Sequence, residues 1–204
     1  MKKNKILVFG ANGLVGKSVV ETLSNSSKVE SVDSSTRKDT DLKNIDEIKN
    51  ILNIKQPDYI INCAAKVGGI YANNTFRAEF LLENLKINLN LFDALKEYPN
   101  VNVVNLGSSC IYPLNAPNPI SESSFLEGKL EPTNSPYAIA KITGIELGRE
   151  INNQYGNKIL NLMPTNLYGP NDNFTDMNSH VIPGLIFRMH QAKIDNDPIF
   201  KIWG

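Results

Sequence analysis

The sequence predicts an α/β fold in which a parallel sheet is wound on both faces by helices and leads into a second, smaller unit. Three observations carry this reading. Short apolar runs alternate with longer segments of helical period, the pattern of buried strands joined by crossover helices. The first apolar run ends on glycines at three-residue spacing, Gly10, Gly13 and Gly16. At about 150 residues per domain, the 204 residues hold one large domain or one domain plus part of a second.

Taken in order, strands are expected near 5–9, 29–33, 58–63, 101–106 and 158–163. Helices are expected over 14–25, 44–55, 76–98 and 136–155. The third of these helices carries Leu81, Leu85, Phe92 and Leu95 along one stripe, as core or as a subunit contact. Pro113 to Pro136 holds five prolines and no sustained period, so it is read as a long loop over the ends of the strands. Nothing in residues 1–165 marks a boundary, and that stretch is taken as the dinucleotide-binding domain. Residues 166–204 are taken as the start of a substrate domain. Pro198 to Gly204 reads as a strand that stops at its last turn signal, so the chain is expected to be a fragment.

Composition narrows the function. Hydrophobic residues make up 41%, enough for a core, and 21 Lys and Arg balance 21 Asp and Glu. A neutral chain has no basic surplus to hold a phosphate polymer, which argues against a general nucleic-acid binder. The apolar run after the basic start is four residues long, too short for a signal peptide, and no stretch approaches the roughly 18 residues of a membrane span. Cys63 and Cys110 are the two cysteines, and the two histidines stand in no ligand spacing with them. A cytoplasmic chain with no disulfide and no metal is therefore expected.

Glycines that follow a strand and open a helix form a dinucleotide cradle. The first permits the tight turn, the second admits the diphosphate, and the third lets helix and strand pack closely. A plain strand–turn–helix corner is the simpler alternative. The choice of dinucleotide turns on the end of the second strand, where an acid suits the ribose hydroxyl of NAD and a cation suits the 2′-phosphate of NADP. Asp33 lies 23 residues past Gly10, and Arg37 and Lys38 follow it. Two cations within reach of a 2′-phosphate favour NADP.

Tyr137 and Lys141 stand one helical turn apart on one face, and Ser108 follows an apolar strand. A neighbouring ammonium, together with an oxidised nicotinamide, is expected to lower the phenol's pKa, so that Tyr137 moves a proton while Ser108 bonds the substrate oxygen.

With those residues in view, the chain resembles the GDP-L-fucose synthases, bifunctional epimerase-reductases of the extended short-chain dehydrogenase/reductase superfamily. The matching stretches are Gly10 to Gly16, Ala64 to Ile70, Gly107 to Pro113, Leu130 to Lys141, Met163 to Phe174 and Ser179 to Pro183. The resemblance implies a Rossmann-type domain, NADPH as hydride donor, a GDP-sugar substrate epimerised at C3 and C5 before reduction at C4, and a homodimer built on helices 76–98 and 136–155. It implies Cys110 and His180 as the acid–base pair of the epimerisation. It places the dinucleotide on Gly10, Ala11, Asn12, Gly13, Leu14, Val15 and Gly16, and on Arg37, Lys38, Asp39, Thr40, Asp41 and Leu42. The nicotinamide side would be lined by Leu106, Gly107, Ser108, Ser109, Lys141, Pro164, Thr165, Asn166, Leu167 and His180, and Arg188 and Trp203 would contact the nucleotide sugar. Family members continue well past residue 204. Two other readings stand beside this one: a different nucleotide-sugar epimerase, dehydratase or 4-reductase of the superfamily, and a non-catalytic dinucleotide-binding module. Cys63 is read as inert core.

Overall fold

A computed structural model describes residues 3–175, 179–200 and 202. Five parallel strands form one sheet in the order β2-β1-β3-β4-β5: β1 (Asn4–Phe9), β2 (Val29–Ser35), β3 (Tyr59–Asn62), β4 (Asn102–Leu106) and β5 (Lys158–Leu162). Among them run α1 (Leu14–Ser24), α2 (Ile45–Lys55), α3 (Ile70–Thr75), α4 (Arg77–Leu95) and α5 (Ser135–Tyr155), and α6 (Val181–Ile194) follows the sheet.

Strand alternation sorts the core into two layers. Leu7, Phe9, Ile60, Val103 and Ile159 face one side and are sealed by Ile48 and Leu52 of α2, Leu91, Phe92 and Leu95 of α4, and Ile151 of α5. Ile6 and Val8 face the other side and pack against Val19, Val20 and Leu23 of α1. Each fully buried aliphatic or aromatic side chain contributes about 1.5–3 kcal/mol to this assembly. Leu160 and Leu162 at the end of β5 remain exposed.

The sheet also carries a polar row. Asn62, Asn105 and Asn161 sit opposite one another across β3, β4 and β5. Asn62 donates to Asn105 at 2.8 Å, and Asn105 donates to Asn161 at 2.9 Å. The free oxygen of Asn62 accepts from the Ala64 N–H at 3.1 Å, fixing the start of the loop after β3. A central amide that both donates and accepts leaves two groups unpaired when it is lost. Asn105→Leu is therefore expected to lower unfolding free energy by about 2–4 kcal/mol, read as an earlier midpoint in urea with an unchanged slope.

Three departures from the sequence reading have clear causes. α3 and α6 add to the four helices expected, and α6 holds Pro183 in its first turn. Proline is tolerated there, since first-turn N–H groups have no helical partner to lose. Residues 198–200 and 202 are not in a strand; the Ile199 N–H turns back onto the Asp197 carboxylate. On α4 the buried face is Phe80, Asn84, Asn88, Leu91, Phe92 and Leu95, while Leu81 and Leu85 are only half-buried. Two asparagines took positions that an apolar-stripe reading gives to leucine. No helix among the described residues is long and apolar enough to cross a membrane.

Candidate functional site

The carboxyl ends of β1, β4 and β5 meet in one region, and each contributes a turn that its sequence dictates. Gly10 ends β1 at φ +71°, and a methyl group there would lie 2.7 Å from the Ala64 nitrogen. At Gly16 a methyl would lie 2.1 Å from the Gly10 carbonyl oxygen. Both glycines are thus required by close approach, one against the loop after β3 and the other where α1 packs on the turn. Gly13 is exposed and has room, and it is the N-cap of α1 with no side-chain cap. The first N–H groups of α1 consequently have no side chain of this chain to satisfy them, the arrangement in which helix N-termini receive anions. Lys17 in the first turns of α1 donates to Asn171, in the loop after β5, at 3.1 Å.

At the end of β2 the chain turns tightly. Asp39 accepts from the backbone and hydroxyl of Thr36 at 2.8 and 2.7 Å, bonds that hold its carboxyl below the usual range. Arg37 and Lys38 are exposed on this turn, and Thr40 and Leu42 are buried beneath it. Asp33, the expected acid, is engaged elsewhere: Lys55 at the far end of α2 holds its carboxylate at 2.6 Å. Its spacing from Gly10 was right for a ribose contact, but it sits two residues inside β2 and faces α2.

Ser108 follows β4 and caps a short 3₁₀ turn, Ser109–Ile111, accepting from the Cys110 N–H at 3.4 Å. Ser109 donates to the Pro164 carbonyl at 3.1 Å and Gly107 to the Leu162 carbonyl at 2.7 Å, tying the loops after β4 and β5 together. Tyr137 and Lys141 enter from α5. Lys141 is buried, donates to the Leu106 carbonyl at 2.7 Å, and lies 5.6 Å from the Tyr137 ring centroid. Ser108, Cys110, Tyr137 and Lys141 thus form one cluster.

The electrostatics of the cluster differ from the expectation in one respect. Burial pushes the Tyr137 phenol above its ordinary value and Cys110 adds to that shift. Burial also pulls Lys141 down to about 8, so desolvation outweighs the attraction of the nearby thiols for its charge. The ammonium donates to a backbone carbonyl, and with its pKa at about 8 it has lost its charge before a phenol raised above 10 ionises, so it does not pull Tyr137 down. Burial raises both thiols, Cys63 to about 11, with Lys141 opposing the shift in each case. Cys63 packs against the core of the α1 face.

His180 is exposed and is the N-cap of α6, and no hydrogen bond or ring contact among the described residues joins it to Cys110. Thr165, Asn166 and Leu167 are exposed, Arg188 is half-buried on α6, and Trp203 lies outside the described residues. Two residues that motif reading passed over position the cluster. Arg77, at the start of α4, donates to the carbonyls of Pro132 and Thr133 and to the Ser135 hydroxyl. Glu131 accepts from Thr133 and Asn134 just ahead of α5. An arginine 55 residues away in sequence from the carbonyl it holds leaves no local pattern to find. Among the described residues, no group of three or more His, Cys, Asp or Glu side chains forms a metal site.

Residues 6–204 match the model of the NAD dependent epimerase/dehydratase family. The GDP-L-fucose synthase of Escherichia coli (strain K12) is 44% identical over 204 residues, all of this chain and 63% of that protein. A GDP-6-OMe-4-keto-L-xylo-heptose reductase from C. jejuni superposes with a TM-score of 0.88 at 33% identity, over 98% of this chain and 57% of that one. A GDP-L-fucose synthetase from Naegleria fowleri bound to NADP superposes at 0.82 and 29% identity, over 96% of this chain and 60% of that one. The chain spans under two thirds of the length of each.

Proposed function

The chain belongs to the NAD dependent epimerase/dehydratase family, and from that premise we propose that it is the greater part of a GDP-L-fucose synthase. In this reading it epimerises GDP-4-keto-6-deoxy-D-mannose at C3 and C5 and reduces it at C4 with NADPH. The observation that carries the proposal is the gathering of Ser108, Cys110, Tyr137 and Lys141 beside the glycine turn, in a chain 44% identical to a protein of that name.

The residues present fit NADP. The uncapped start of α1 beside exposed Gly13 suits a diphosphate, and Arg37 and Lys38 are exposed just past the end of β2 while Asp33 is tied to Lys55. Cations there welcome a 2′-phosphate that a bare carboxylate would repel. When bound, the cofactor supplies the hydride for C4.

The chain's own groups handle protons and the developing oxyanion. Carbons beside a ketone lose protons as an enolate forms, and Ser108 and Tyr137 are placed to hold that oxygen. Cys110 is assigned proton transfer at C3 and C5, with His180 as its partner, as the resemblance to the GDP-L-fucose synthases implies. The raised phenol keeps Tyr137 protonated at neutral pH, the state needed to donate to the C4 oxygen as it is reduced. Lys141, anchored to Leu106, fixes the face of α5 that presents Tyr137. The reading includes a homodimer through α4 and α5, on which Leu82, Leu89 and Ile139 are exposed, and a cytoplasmic location in keeping with two free cysteines.

The likeness to the heptose reductase favours a second reading, reduction of a GDP-4-keto sugar without epimerisation. Substrate incubated in D2O separates the two. Epimerase activity places deuterium at C3 and C5, and Cys110→Ser lowers that exchange by about 100-fold or more. Wild-type reduction with no deuterium incorporation would establish the reductase instead.

A further inference from the structure

One turn of α4 is committed to a single residue in the loop after β3, Lys66, to which the reaction above gives no task. Asn84 accepts from the Lys66 N–H at 2.9 Å and donates to its carbonyl at 3.0 Å. The Glu83 carboxylate accepts from the Lys66 ammonium at 2.7 Å. The ammonium in turn lies 5.8 Å from the centroid of the Phe80 ring. Positions 80, 83 and 84 share one helix face, so the backbone and the charged end of the lysine are gripped together.

Such a hold is costly. A lysine ordered near a surface loses about 2 kcal/mol of rotamer freedom, and a half-buried, solvent-reached ion pair such as this one returns only about 1 kcal/mol. Asn84 is itself buried, at 1% exposure, and a buried amide is retained only where its bonds are met. The grip gains meaning from what lies beyond it. Phe80, also buried, meets the Tyr137 ring edge to face, with centroids 6.4 Å apart and planes at 74°. Aromatic pairs prefer this geometry, so the tilt of one ring constrains the other.

We propose that Lys66 is a positioning residue for Tyr137: with Glu83 and Asn84 it seats the Phe80 ring, and that ring sets the orientation of the phenol. The proposal rests on Tyr137 being the proton-transfer group of the reading above. It extends the site to the loop after β3 and to α4, and it requires no contact between Lys66 and substrate.

The test uses the full chain with 3-fluorotyrosine incorporated and the Tyr137 fluorine resonance assigned by its loss in Tyr137→Phe. Lys66→Met and Phe80→Leu are expected to move that resonance, whereas Lys66→Arg, which keeps both the ion pair and the ring contact, leaves it in place. In a single turnover with GDP-4-keto-6-deoxy-D-mannose, Lys66→Met is expected to slow NADPH oxidation about tenfold, with NADPH affinity within about twofold of wild type and Lys66→Arg restoring the rate. The double variant Lys66→Met/Phe80→Leu should be no slower than Phe80→Leu, since both act on one contact. An unmoved resonance in Lys66→Met overturns the proposal. So does weakened NADPH binding at an unchanged rate, which would assign Lys66 to the cofactor's phosphates. The fluorine measurement needs no substrate, so a wild-type chain that fails to turn over this sugar would overturn the proposed function and leave the positioning role to be decided by the resonance.

Discussion

Tyr137→Phe is expected to lower the rate of NADPH oxidation with GDP-4-keto-6-deoxy-D-mannose by about 10²–10⁴-fold while NADPH binding stays within about twofold of wild type. The substitution removes one hydroxyl and keeps the ring, so the edge contact with Phe80 and the seat of Lys141 survive. What is lost is the hydroxyl whose burial holds its proton in place through neutral pH and to which this reading gives delivery of that proton to the C4 oxygen. Stopped-flow absorbance at 340 nm reads the rate, and quenching of tryptophan or enhancement of NADPH fluorescence reads the binding. A loss of less than tenfold would move the proton-transfer role to another group.

A second large effect concerns stability rather than turnover. The folded pKa of Lys141 is pulled from 10.5 to about 8 by burial. Below pH 8 folded and unfolded chains both carry the charge, and the fold bears the whole desolvation penalty. Between about pH 8 and 10.5 the unfolded chain keeps a proton that the folded chain has released, so this group makes stability rise with pH. Above that window neither state is charged and the penalty is gone. The rise amounts to about 2 kcal/mol between pH 7 and 9.5. Cys63, raised from 9.0 to about 11, opposes it over part of the same range, so the comparison is with Lys141→Met, in which both thiols remain; without the lysine they are raised further, which adds to the gain of the wild type over the variant. Urea unfolding at the two pH values should show the wild type gaining on the variant as pH rises. Equal changes in both proteins would mean that the ammonium is solvated.

The strands and most helices were legible because apolar runs and period are local properties, and the ends of β1 to β5 fall within two residues of the expected ones. The glycine turn was legible for the same reason: Gly10 and Gly16 are each demanded by an atom that a side chain would strike. The three helix-borne features that escaped depend on partners distant in sequence. Asn84 and Asn88 are buried on α4 because Lys66 and Ala140 supply their bonds. Arg77 matters because Pro132 and Thr133 pass beneath it. The environment of Tyr137 was misjudged because spacing shows that a lysine is near but not that its ammonium is spent on Leu106 and is itself desolvated.

The row of Asn62, Asn105 and Asn161 also has a bearing on how this sequence can change over generations. Each asparagine is favourable only while its neighbours are asparagine, so a single apolar replacement strands its partners, whereas replacing the whole row with packed apolar side chains removes every stranded side-chain amide at once and leaves the Ala64 N–H alone to find another acceptor. Two fit states are therefore separated by unfit single-step intermediates. Descendants of this chain should keep the three amides or lose them as a block, and a lineage that has dropped the middle one gains from dropping the other two.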